Sequence, residues 1–155
     1  MNAPALQQQT DYLAGLGLQR APFLDQIDDL FFYADPQLVQ RLDLLQHLIQ
    51  FGDMLLGVSG PAGIGKSTLL AQLLRRGAAT WRSCRLNGGQ IQQADDLLTQ
   101  LADGFGLDRS AAPERLKADL LRLFQTLRHT SLIPVVVVDD AQLLPEPAFK
   151  ALLEL

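Results

Sequence analysis

The chain has 155 residues, 48% hydrophobic and 19% charged, enough for one sizeable core and unlike a disordered or low-complexity protein. Thirteen basic against seventeen acidic side chains give a net charge of −4, with no Lys/Arg run longer than Arg75–Arg76, so strong binding to a phosphate backbone is not expected. The single cysteine, Cys84, excludes an internal disulfide; there is no signal-like N-terminus and no apolar run near the roughly 18 residues of a membrane span, so the expected location is cytoplasmic.

Residues 1–12 are polar and Gln-rich and read as a flexible arm, leaving residues 13–155 as the folded part. Residues 13–35 are irregular but carry Phe23, Phe31, Phe32 and Tyr33, a concentration of aromatics that predicts packing against another surface. Asp35-Pro36 signals a helix start, and Leu38, Leu42, Leu45 and Ile49 continue it at helical spacing until Phe51 and Gly52. "DMLLGVS" reads as a short buried strand, "GKSTLLAQLLRRG" as a helix closed by Gly77, and "TWRSCRL" as a strand. Helices are predicted over residues 90–105, with Ile91, Ala94, Leu97, Leu98, Leu101 and Phe105 on one face, and over 113–128.

"LIPVVVVDD" is a β-branched run without alternation, as in a strand covered on both faces, with Pro134 near its start. "PEPAFKALLEL" reads as a last helix. Strands separated by helices predict an α/β fold, a parallel sheet with helices on both faces.

Gly60, Gly65, Lys66 and Ser67 complete the spacing G-x-x-x-x-G-K-[ST], between a predicted strand and a predicted helix. On the loop Gly60, Pro61, Ala62, Gly63, Ile64 and Gly65, the backbone N–H groups, which all but Pro61 carry, can wrap a phosphate that no side chain obstructs, and the following helix adds its positive end. Lys66 is the candidate for the β- and γ-phosphates and for catalysis, Ser67 for Mg²⁺, and Thr68 for a contact to the α-phosphate. At the end of the valine run, Asp139 and Asp140 stand at the sheet edge where open α/β sheets bind ligands. Asp139 is the second candidate for Mg²⁺, and Asp140 the group that polarises water. His47 and His129 lack partners at metal spacing, and Trp81 reads as a packing residue. Arg75, Arg76, Arg82 and Arg85 are candidates for sensing phosphate across a subunit interface, and nothing in the sequence selects one.

With "GPAGIGKSTLL" and "VVVVDDAQLLPEPAFKALLEL" beside "LGLQRAPF", "DDLFFYADPQLVQRLDLLQHL" and "ADDLLTQLADGFGL", the chain resembles bacterial AAA+ ATPases of the ExeA/GspA group. Within them it is most similar to the N-terminal ATPase region of DamX-type cell-division proteins, over residues 13–155. The resemblance implies a P-loop NTPase fold, binding and hydrolysis of ATP with Mg²⁺, a role in bacterial division or the envelope, and a homo-oligomer or division-machinery partners; the acidic balance separately predicts no nucleic-acid partner. It also implies that residues 22–33 wall the adenine. A sensor strand between the P-loop strand and the valine strand is not found, so the domain is expected to be incomplete at its C-terminus. The remaining part would carry the rest of the ATPase domain, an inner-membrane span and a SPOR domain. Asp140 stands where many relatives have Glu, one methylene longer, which predicts slow hydrolysis. The alternatives are a nucleotide-dependent switch or scaffold with little turnover, and a DNA-associated transposition or replication ATPase, which the acidic balance disfavours.

Overall fold

The computed structural model describes residues 15–18, 32–52 and 54–155. It separates into two units, Met1–Pro36 and Gln37–Leu155. In the first unit, among the described residues, Leu16 and Tyr33 are exposed and the Asp35 amide donates to the Tyr33 carbonyl. The expected arm over residues 1–12, and the aromatic segment up to Phe31, lie outside the described residues.

Helix α1, Pro36–Phe51, begins at the proline whose missing N–H is harmless in a first turn. Leu42 is fully buried, Leu38, Leu45 and Ile49 are half-buried, and Leu44 and Phe51 stay exposed. Helix α2 is Lys66–Gly77 and ends against Trp81. A Cβ on Gly77 would lie 2.0 Å from the indole, so this turn is closed by a glycine for space.

Strand β1, Trp81–Asn87, pairs in parallel with β2, Ile133–Asp139, in the register Trp81↔Ile133 through Asn87↔Asp139. Parallel strands need a long crossover. Here it holds α3, Ala94–Phe105, and α4, Pro113–His129; α5, Glu146–Leu153, follows β2.

Alternation along the strands divides the sheet into two faces. Cys84, Leu86, Val136 and Val138 join the main core with Leu97, Leu101, Ala102 and Phe105 of α3, Leu116 and Leu120 of α4, and Ala148 of α5. Phe105 and Phe124 meet edge to face with centroids 5.1 Å apart. Trp81, Val135 and Val137 occupy the opposite face and are buried too; α2 reaches that face through the Gly77–Trp81 contact. The valine run is therefore apolar at every position because both faces are covered, as expected. Among the described residues no helix is long and apolar enough to cross a membrane.

Three expectations are corrected. The "DMLLGVS" segment is not a strand: residues 54–60 carry no regular structure, and Met54 and Leu55 are exposed. An apolar run becomes a strand only when a neighbour takes its backbone hydrogen bonds, and no described strand pairs with this one or with the second edge of β2. Between them lies a cavity of about 680 Å³, lined by Leu55 and Val58 on one side and by Val136 and Val138 on the other, with Leu70 and Leu73 of α2. The helix expected from residue 90 starts at Ala94 instead. Gly88–Gln90 form a 3-10 turn, and Gln93 and Asp96 make a capping box, with the Asp96 carboxylate accepting from the Gln93 amide at 3.1 Å. Ile91, expected on that helix, is buried just before it. The described sheet has two strands, fewer than expected.

The α3–β1 contact permits no added atom at Gly104, where a Cβ would sit 2.2 Å from Cys84 Sγ. Alanine favours a helix over glycine by about 1 kcal/mol, but the overlap costs more, so Gly104→Ala is expected to lose about 1–2 kcal/mol in denaturant unfolding.

Candidate functional site

The stretch from Gly60 to Thr68 turns from irregular chain into α2. Gly63 has φ 76° and Gly65 φ 94°, a left-handed geometry in which a side chain is strained. Gly65 is the N-cap of α2 without a side-chain cap, and its carbonyl accepts the first helical bond from the Leu69 amide at 2.9 Å. Among the described residues, the amides of Gly63, Gly65, Lys66 and Ser67 donate to no backbone carbonyl. A Cβ on Gly63 or Gly65 would meet nothing within 4 Å, so it is the left-handed backbone and not crowding that calls for glycine there. Consecutive amides without a backbone acceptor, together with the positive end of a twelve-residue helix, are an arrangement able to receive an anion. Lys66 is turned back on it, its Nζ donating to the carbonyls of Gly60 and Pro61, both at 3.0 Å.

The second part of the site is the end of β2. Asp139 lies opposite Asn87 in the register, on the face of the sheet that Trp81 and α2 share. The Ser67 hydroxyl at the start of α2 donates to its carboxylate. Arg85 Nη2 donates to Asp139 Oδ2 at 2.5 Å, and the Asp140 amide to Oδ1 at 3.2 Å. Partial burial pushes the Asp139 carboxyl up, but the hydrogen bonds from Arg85 and Ser67, the Arg85 charge and the Asp140 amide outweigh it and hold it below the ordinary value. Asp140 is exposed, with left-handed φ 51° and ψ 41°, and its carboxylate accepts from Gln142 Nε2 at 3.3 Å.

A carboxyl lowered on folding stabilises the protein above its unfolded value and loses that contribution as pH falls through its folded value. Asp139 is such a group. The gap in melting temperature between the nucleotide-free protein and Arg85→Gln is therefore expected to narrow as pH is lowered from about 6 to about 3.

Thus the structure brings Lys66, Ser67 and Asp139 together, with Asp140 next to them on the turn. Thr68 continues α2. Of the other arginines, Arg76 pairs with Asp43 of α1. Two further residues were not selected from the sequence. Arg85 reaches Asp139 only because β1 and β2 are in register. Gly88, just after β1, would with a Cβ come 2.5 Å from the Asp140 carbonyl oxygen, so it lets the acidic turn lie against the 3-10 turn. The Gly88-Gly89 pair at a strand end was the available signal.

The donor set suits a hard cation. Mg²⁺ is held by oxygen ligands, usually one or two carboxylates completed by substrate phosphates and water. Ser67 and Asp139 offer a hydroxyl and a carboxylate already in contact beside the loop amides. No cluster of three or more His, Cys, Asp or Glu that could cage a metal occurs among the described residues.

The chain matches no curated protein and no solved structure. The family model described as an AAA domain matches residues 49–155, which include the glycine loop, both strands and the acidic turn. The chain therefore belongs to the AAA domain family of nucleotide-binding ATPase modules, with the α/β fold of P-loop NTPases.

Proposed function

We propose that the protein binds ATP together with Mg²⁺ and hydrolyses it slowly. The observation that carries this reading is the contact of Ser67, at the head of α2, with Asp139, at the tip of β2, beside loop amides without a backbone acceptor. In this reading the amides from Ala62 to Thr68 hold the phosphates and Lys66 exchanges its two carbonyl partners for the β- and γ-phosphates. Ser67 and Asp139 hold Mg²⁺, which when bound neutralises charge on the phosphates. Asp140 orients and polarises the attacking water; its carboxylate is exposed on the same turn. The reading includes a further strand beside β2, in the slot marked by the cavity, as part of a complete ATPase domain. Phosphate release that needs Mg²⁺ and stops on chelation supports it; none, under conditions where ATP binds, contradicts hydrolysis.

A second reading, a switch in which binding matters more than turnover, is favoured by the short acid in a left-handed turn at Asp140. For the biological setting we propose the cytoplasmic face of the division or envelope machinery, as a homo-oligomer or with protein partners, on the resemblance to the ExeA/GspA group and DamX-type proteins. A fluorescent fusion enriched at the division site supports that setting, and a uniform distribution contradicts it.

A further inference from the structure

We propose that Arg85 is an exchangeable counter-ion of Asp139: its guanidinium holds the carboxylate in the nucleotide-free protein and releases it when a divalent cation takes its place. The inference rests on the nucleotide-binding reading above and adds a regulated step to it.

Its origin is the register. Arg85 faces Val137 and Asn87 faces Asp139, so Arg85 and Asp139 are diagonal neighbours on one face, 54 residues apart in sequence. A long side chain on the centre of β1 thereby reaches the tip of β2. Its Nη2 occupies Oδ2, the Asp140 amide holds Oδ1, and Ser67 donates to the same carboxylate. A carboxylate ligating a cation must turn a lone pair to it, and a fixed positive charge at that oxygen opposes the approach of a second.

The form of the contact distinguishes a latch from a brace. A permanent arginine–carboxylate clamp is commonly bidentate, with two parallel bonds. Arg85 uses one nitrogen, and among the described residues it has no second ion-pair partner. The arginine is 38% exposed and the carboxylate 16%, so the guanidinium can swing into solvent, and the carboxylate it leaves is then neutralised by the cation that replaces it. Lys66 shows the same habit, its ammonium spent on carbonyls of its own loop. Both cations of the site are thus occupied internally, and both partners are given up on loading. The lysine moves to the ligand, whereas Arg85 moves away from it.

The test uses the full chain, with Mn²⁺ as a spectroscopic probe for the divalent site and a non-hydrolysable ATP analogue. Wild type, Arg85→Met and Arg85→Gln are compared for analogue affinity in excess chelator and for Mn²⁺ affinity of the analogue complex by electron paramagnetic resonance. The expected result is an analogue affinity without metal unchanged within about twofold and Mn²⁺ bound about tenfold more tightly in both variants, because one opposing charge has been removed. Arg85→Lys, which keeps the charge on a shorter reach, is expected to fall between them and wild type. Arg85 is exposed and Asp139 keeps the Asp140 amide as a donor, so both neutral variants are expected to fold, with circular dichroism as the check. Mn²⁺ affinity unchanged or weakened in both variants, with analogue binding intact, overturns the latch and makes Arg85 a brace. A wild-type protein that binds no analogue at all refutes the nucleotide reading itself, a failure visible before any variant is compared.

Discussion

Lys66→Ala is expected to weaken ATP binding about a hundredfold, with the fold intact, because it removes an ammonium able to make more than one charge-assisted bond at about 1.5–3 kcal/mol each. In the nucleotide-free protein that ammonium is bonded to the carbonyls of Gly60 and Pro61. Those carbonyls belong to an exposed loop, where water replaces the lost donor at little cost. The variant therefore separates binding from folding: a fluorescent-nucleotide titration should lose its signal while the thermal unfolding curve stays near wild type. An affinity within a factor of three of wild type would mean that the lysine never leaves its loop.

Asp140→Asn is the second large effect, and it falls on turnover. Removal of a group that helps activate water costs about 10²–10⁴ in rate, so phosphate release is expected to fall by at least a hundredfold while ATP affinity changes by no more than about threefold. Asparagine is the suitable replacement because Asp140 is left-handed, φ 51°, and Asn tolerates that conformation about as well as Asp. The same geometry bears on the missing methylene. A glutamate here carries a longer side chain on a backbone that L-residues enter at a cost of about 1–2 kcal/mol, so the shorter acid suits the turn. Single-turnover phosphate release, with binding measured separately, decides the point; equal rates for wild type and Asp140→Asn would remove Asp140 from the chemistry.

Much of this site was legible because its signals are local. The glycine spacing from Gly60 to Gly65, the lysine and hydroxyl after it, and the acid closing an apolar strand each follow from a few consecutive residues. The order of the described helices was legible for the same reason, and Leu97, Leu101 and Phe105 line the core as their spacing predicts. The failures are non-local. Residues 54–60 have the composition of a strand but no partner to pair with, and partnership is not written in the segment itself. The start of α3 was set by the Gln93–Asp96 box, a reciprocal pair of side-chain bonds that outweighed the apolar periodicity reaching back to Ile91. Arg85 was one of four arginines until the register of β1 on β2 singled it out. Gly88 is singled out only by the Asp140 carbonyl that lies against it, a contact between segments far apart in sequence.

The central claim is that the loop ending in Ser67 and the strand ending in Asp139 receive one magnesium-bound nucleotide. Isothermal titration of the full chain with ATP, once with Mg²⁺ and once with chelator, tests it most directly. The account predicts a single site that tightens when Mg²⁺ is present, with the metal-dependent part lost in Asp139→Asn and the metal-free part retained. No heat of binding with Mg²⁺ and ATP together, or an affinity indifferent to the metal, would contradict it.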